Sequence, residues 1–227
     1  MFKLYKKLYY LLLVLFLIFV VSGCAPKETG MPIAVSQEAV KEVTKEVPNI
    51  PNAVLITTFE SGKEEGWTPN GEGVSIAVVD KDAHTGKYSL YITGRKVGWN
   101  GAQIQLKDLL KPGKTYSISL WVKHNSELPQ HIGITMRRRY DSDSSTQYDW
   151  ISHNQETPGG KWIELSGTYQ IPAGVNILDL ALYVEVPSNS TLDLYIDDLV
   201  IVEGKQSFRI TPELFNLFAS YFKDYLN

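Results

Sequence analysis

From residue 178 to 186 the chain reads LDLALYVEV, with Leu178, Leu180, Leu182, Val184 and Val186 on every second position. Successive side chains leave a strand on opposite sides, so an unbroken period of two marks a strand with one face in a core. The other face carries Asp179, Ala181, Tyr183 and Glu185. An aromatic ring beside a carboxylate suits a sugar, whose rings have apolar C–H faces and hydroxyl rims. An ordinary cross-strand aromatic on a solvated face fits the same pattern.

The texture around this stretch is uniformly β. Runs rich in β-branched and aromatic residues occur at 54–59, 74–79, 88–92, 102–106, 115–123, 132–138, 147–153, 162–169, 178–186 and 192–202. Turn-forming clusters separate them, among them Thr68-Pro69-Asn70-Gly71, Pro112-Gly113 and Pro158-Gly159-Gly160. Short strands at turn-punctuated spacing predict an all-β fold, a β-sandwich jelly roll over 53–204. Parity then sorts the faces. Tyr116, Ile118, Leu120 and Val122 point one way, and Trp121 and Lys123 the other. Ile132, Ile134 and Met136 are core candidates, with Arg137 and Arg139 outward. Arg138 falls on the core parity, which predicts a strand end or bulge there. If these outer faces belong to one sheet, Trp121, Arg137, Arg139, Tyr183 and Glu185 share a surface.

The ends of the chain differ from this region. Residues 1–7 are basic, 8–21 are apolar, and Ser22-Gly23-Cys24 follows, which reads as a secretory signal over 1–23. Val21-Ser22-Gly23-Cys24 resembles a bacterial lipobox, which implies cleavage before Cys24 and a lipid on its sulfur. A plain N-terminal membrane anchor is the alternative. Both place the remainder at the cell envelope, outside the cytoplasmic membrane. Cys24 is the only cysteine, so there is no internal disulfide framework. Residues 24–52 are rich in Pro, Lys and Glu and read as a flexible tether. Losing the leader with its three lysines takes the formal charge from −3 to −6, which argues against nucleic acid as a partner. In the tail, 205–227, Thr211 and Pro212 can start a helix bearing Leu214, Phe215, Phe218, Tyr221, Phe222 and Tyr225 on one stripe.

The pattern Gly94-Arg95…Trp99-Asn100-Gly101-Ala102 follows HTGKYSLYI at 84–92 and precedes GKTYSISLWVKH at 113–124. GKWIELSGTYQIP, LYVE and LYIDDLVI come later in the same order. With Phe59-Glu60 and Gly66-Trp67, this set resembles the xylan-binding modules of carbohydrate-binding family 22, which sit beside xylanase domains. The resemblance covers about 53–203. It implies a jelly roll gripping xylan, or a related mixed-linkage β-glucan, in a cleft, without catalysis. It also implies that Trp99, Tyr148, Tyr183 and Glu185 line the cleft, with Asn100 and Asn70 as further hydrogen-bonding groups. Asn70 stands where the family carries a groove arginine. Arg137 and Arg139 stand where relatives often carry glutamine, and are expected to compensate, meeting glucuronic acid branches. Members of the family carry a structural calcium, which points to Glu60, the Lys87 carbonyl and Asp198. Asp198 shares parity with Leu194 and Ile196 and is expected to face inward. The tail resembles the first helix of family 10 xylanase domains, so the chain reads either as a binding module or as the N-terminal part of a xylanase. A non-carbohydrate assembly domain on the same sandwich is the reading of another class.

The other chemistry-bearing residues form no site by spacing. Trp67 and Trp162 read as packing, while Trp121 and Trp150 fit either role. His84, His124, His131 and His153 lack metal-ligand spacing. Asp141 and Asp143 read as a solvated loop. Glycoside hydrolysis needs two facing carboxylates, and Glu185 has no evident partner.

Overall fold

A computed structural model describes residues 50–206. The expected leader, Cys24 with its lipid, the tether up to residue 49 and the tail from residue 207 lie outside the described residues.

Eleven strands make up the described region: β1 (Ala53–Thr57), β2 (Trp67–Asn70), β3 (Ser75–Val79), β4 (Ser89–Thr93), β5 (Gly101–Gln105), β6 (Thr115–Lys123), β7 (Gln130–Tyr140), β8 (Gln147–Thr157), β9 (Ile163–Gln170), β10 (Ile177–Glu185) and β11 (Leu194–Glu203). They form two antiparallel sheets. The first runs β3-β4-β11-β6-β9, with β1 also pairing β11. The second runs β2-β5-β10-β7-β8. The chain is a β-sandwich of the jelly-roll kind. Its core lies between the sheets, where Ile118, Leu120 and Ile196 meet Met136, Leu182 and Val184, all fully buried. Shutting such side chains away from water contributes about 1.5–3 kcal/mol each.

Four departures from simple alternation have local causes. Of the expected turn Thr68-Pro69-Asn70-Gly71, the first three residues belong to β2. Pro69 donates no ladder bond, and β2 is an edge strand pairing only β5, where proline is tolerated. Leu178 is 43% exposed rather than buried. The β10–β7 register shifts between Ile177 and Asp179, so Ile177 takes the core position in its place. Arg138 neither ends nor bulges its strand. It stays on the inner face near the end of β7, where Asp149 and Asp143 meet its guanidinium at 2.6 Å each. Asp143 sits in the loop after β7 but turns its carboxylate back onto Arg138, and that carboxyl is held below the usual range by the Tyr140 N–H and by Arg138. Finally, the β11–β6 register shifts between Asp197 and Val200, and Asp198 has φ 46°. Leu199 and Ile201 take over the inward positions, and the fully buried acid is Asp197 rather than Asp198.

The bulge at the start of β10 separates two leucines that alternation treats alike. Leu180→Ala is expected to cost about 2–5 kcal/mol. Leu178→Ala should stay within about 0.5 kcal/mol. Urea denaturation at neutral pH measures both, and equal losses would place Leu178 back in the core.

Candidate functional site

The two outer faces of the sandwich differ. The β3–β4 connection folds over the first. Within it, His84 stacks on Trp121 of β6 with ring centroids 3.7 Å apart, and meets Trp162 edge-on at 5.9 Å. The backbone N–H groups of His84 and Thr85 donate to Asp197 at 2.9 and 3.3 Å, and Lys123 pairs with Asp82. Trp121 therefore shares no surface with Arg137, Arg139, Tyr183 or Glu185. Parity told which side of its own sheet it faces, and it belongs to the other sheet.

The outer face of the second sheet carries the remaining expected residues, arranged in cross-strand rows. Glu185 stands opposite Gly133, and Asn70 opposite Gly101. The next row runs Thr68, Gln103, Tyr183, Thr135, Trp150. The one after it runs Gln105, Ala181, Arg137, Tyr148. Asp179 and Arg139 follow as a further pair. Rows lie about 7 Å apart, two residues along a strand. Glycine is needed at the first row, since a Cβ on Gly101 would come 2.4 Å from the Val184 carbonyl oxygen.

Aromatic rings border this floor on both sides. Trp99 lies two residues before Gly101, on the same parity, and is 54% exposed. Tyr148 on the edge strand β8 is 59% exposed. Trp150, which spacing left undecided, is exposed too and stands edge-on to His153 at 4.4 Å. Its signal was available: it shares parity with Tyr148. Tyr183 is not the open platform expected of it. It is 5% exposed and lies on the floor, with the Tyr148 ring perpendicular to it at 6.4 Å.

The floor is polar and partly desolvated. Glu185 is buried and accepts a hydrogen bond from the Thr135 hydroxyl. Burial pushes its carboxyl above the usual range, while Thr135, His153 and Arg95 pull the other way. Burial, and next the Glu185 charge, raise the Tyr183 phenol well above its ordinary value. Arg137 lies along the sheet, donating to both oxygens of Asp179 at 2.8 and 3.4 Å and to Gln103 Oε1 at 2.9 Å.

Interior polar groups hold the bordering rings. Arg95 is buried, and its guanidinium donates to the carbonyls of Gly98, Asn100, Asn189 and Leu192 at 2.7–2.9 Å. Burial without a paired acid lowers it to about 10. The loop carrying Trp99 is thereby fastened to the β10–β11 connection. Asn100 is spent on the same loop: it is buried, and its Oδ1 accepts from the Lys96 and Val97 N–H groups at 3.0 and 3.1 Å. Its oxygen holds the loop, and at 2% exposure the side chain is not on the open face, contrary to expectation. Asn70 donates to the Trp99 carbonyl at 3.1 Å. On the other border, Asp149 lies between Tyr148 and Trp150 in sequence and points inward to Arg138 and the Tyr169 hydroxyl.

The expected calcium residues gather about the 84–88 connection. Glu60 Oε1 accepts from the Lys87 and Tyr88 N–H groups at 2.7 and 2.8 Å. Asp198 meets His84 Nδ1 at 2.7 Å and the Thr85 hydroxyl at 2.9 Å. Among the described residues no three His, Cys, Asp or Glu side chains form a ready-made metal cluster. No lysine or arginine there pairs with Glu60, Asp197 or Asp198 either. Burial, and then the Asp198 charge, raise the Asp197 carboxyl. Glu60, Asp197 and Asp198 are oxygen donors of the kind a hard cation takes, but here their oxygens accept from N–H and hydroxyl groups, and Asp198 also meets His84.

A sandwich with one outer face partly covered by a connection, and the other set with exposed rings over hydrogen-bonding groups, is a binding module. The acids that β10 sets on that face, Glu185 and Asp179, are six residues apart, about 20 Å. Hydrolysis across a glycosidic bond needs roughly 5–9.5 Å. The chain belongs to the CBM_4_9 family, whose carbohydrate binding domain model matches residues 51–191. It is similar to endo-1,4-beta-xylanase A of Thermotoga maritima, 50% identical over 153 residues, covering 67% of this chain and 14% of that protein. It is also similar to endo-1,4-beta-xylanase A of Thermoanaerobacterium saccharolyticum, 34% identical over 188 residues, covering 79% of this chain and 16% of the other. The chain thus matches about a seventh of the length of these relatives. Among solved structures, the CBM22-1 xylan-binding domain from Paenibacillus barcinonensis Xyn10C superposes with a TM-score of 0.62 at 31% identity, covering 68% of this chain and 96% of that one.

Glu185 gives a pH-dependent expectation. Its folded pKa is raised, so the fold favours the protonated form, and ionisation weakens folding as pH climbs from the usual carboxylate range through the higher folded value. Glu185→Gln, which carries no charge, should unfold at a higher temperature than the parent at neutral pH. The advantage should vanish once the pH lies well below the usual carboxylate range. Thermal unfolding across that range measures it, and an advantage independent of pH would contradict the assigned cause.

Proposed function

We propose that residues 53–204 bind xylan, or a related mixed-linkage β-glucan, without catalysis, on the open face of the second sheet. The observation carrying this most is the pair of rings, Trp99 and Tyr148, exposed at opposite borders of a floor holding Gln103, Tyr183, Glu185 and Arg137. The 31% identity with a xylan-binding domain supports the same reading. Trp99 and Tyr148 lay their faces on the C–H faces of separate sugars along the bound chain, with Trp150 as a further ring. Tyr183 and Glu185 hydrogen-bond hydroxyls between them, and Asn70 adds an amide at the Trp99 border. Each ring contributes about 1 kcal/mol. An open face keeps competing with water, so binding to soluble oligosaccharides is weak.

The wider setting belongs to the same proposal. The lipid on Cys24 holds the module to the membrane at the outer face of the cell envelope. The xylanase relatives, of which the chain matches 14–16%, support a second reading as the N-terminal part of a multidomain endo-1,4-β-xylanase, with 205–227 leading toward the catalytic domain. A structural calcium at Glu60, Asp198 and the Lys87 carbonyl steadies the 84–88 connection.

Affinity electrophoresis in gels with arabinoxylan, barley β-glucan or no polysaccharide tests the function. Retardation is expected in a glycan gel, and Trp99→Ala and Tyr148→Ala should each weaken binding by about fivefold. Identical mobility in all gels would overturn the proposal. Fractionation of the producing cells tests the anchor, since recovery wholly in the soluble fraction rules it out. Chelation tests the calcium: EDTA should lower the unfolding temperature by about 2–4 °C per kcal/mol of cation binding, and added Ca²⁺ should restore it. An unchanged transition would remove the cation from the account.

A further inference from the structure

Strand β7 carries three consecutive arginines, and the fold treats each differently. Arg138 turns inward, where Asp143 and Asp149 meet its charge. Arg137 turns outward and holds both oxygens of Asp179. Arg139 also turns outward and stands directly opposite Asp179 in the β10–β7 ladder. That register would ordinarily pair the two, but Arg137 has already taken the carboxylate. Arg139 is exposed and forms no ion pair among the described residues. The other acid near this end is Asp141, in the turn after β7, exposed and accepting the Asn176 N–H at 3.0 Å.

The position of this uncompensated charge matters. Arg137 faces Tyr148 across the β7–β8 ladder, so Arg139 lies about 7 Å further along, past the ring at the end away from Glu185. The open face is thus polarised, with an anion beneath one end and a cation at the other. The backbone of a neutral glycan gives the cation nothing to pair with. A guanidinium presents a planar fork of N–H donors that matches a carboxylate. A branch on a sugar resting against Tyr148 lies within the length of an arginine side chain. We infer that Arg139 recognises the carboxylate of a uronic acid side group on the bound chain, making acid-decorated β-glycan the preferred substrate class of this face. The inference rests on the polysaccharide-binding reading above. It assigns the charge recognition to Arg139 alone, since Arg137 is neutralised within the sheet.

The test compares one polysaccharide in two states, glucuronoxylan and the same material after reduction of its carboxyl groups to primary alcohols. The chain should bind the acidic form about two- to fivefold more tightly at low salt. Arg139→Gln should abolish that difference, and so should 0.5 M NaCl, since an exposed charge contact is screened. Equal binding of both forms by the parent chain, or a preference surviving in Arg139→Gln, overturns the inference and leaves polysaccharide binding standing. Failure to bind either form overturns the reading on which it rests.

Discussion

Burial of Leu180, Leu182 and Val184 between the sheets is the constraint on which the rest of the molecule depends. Strand β10 sits in the middle of its sheet, so its inner face is covered by the first sheet and its outer face points away from it. A one-residue slip would exchange the two faces, exposing three core side chains worth about 1.5–3 kcal/mol each and driving Tyr183 and Glu185 into the core. The interaction that stabilises the sandwich is therefore the one that aims the floor of the site. Glu185 bears a cost for that position, since a carboxylate drawn from water resists ionisation. The Thr135 hydroxyl offsets part of it.

The floor is set by strands, whereas its borders depend on polar groups behind them. Arg95 closes the Trp99 loop by giving its guanidinium to four backbone carbonyls, a task that needs a fork of donors. On the opposite border, Asp149 faces inward to Arg138, and its two neighbours, Tyr148 and Trp150, face out as a consequence. An inward charge on an edge strand also discourages pairing with a second chain. Both devices hold aromatic rings in place without touching whatever rests on them.

Much of this was legible in the chain before folding. The β texture, the core positions in 116–122 and the shared face of Tyr183 and Glu185 follow from alternation alone. The errors have separate causes. Leu178 and Asp198 were misplaced because a bulge adds one residue and reverses parity, and a bulge arises from the partner strand. Asn100 looked like a ligand group because its residue type suits sugar hydroxyls, but its amide oxygen is claimed by two N–H groups of its own loop. Trp121 looked equivalent to the outward residues of 132–139, although its strand lies in the other sheet.

The amino-acid order by itself determined which residues take opposite sides wherever a strand runs without a bulge, because side-chain alternation is a property of the local backbone. It also set the distinct character of the two ends, through composition. Only tertiary structure decided that the 84–88 connection covers part of one outer face and leaves the other open. The same holds for Asp179 joining Arg137 and leaving Arg139 without a partner. Both outcomes turn on contacts between segments far apart in the chain, where several acceptors compete for one donor and geometry selects among them.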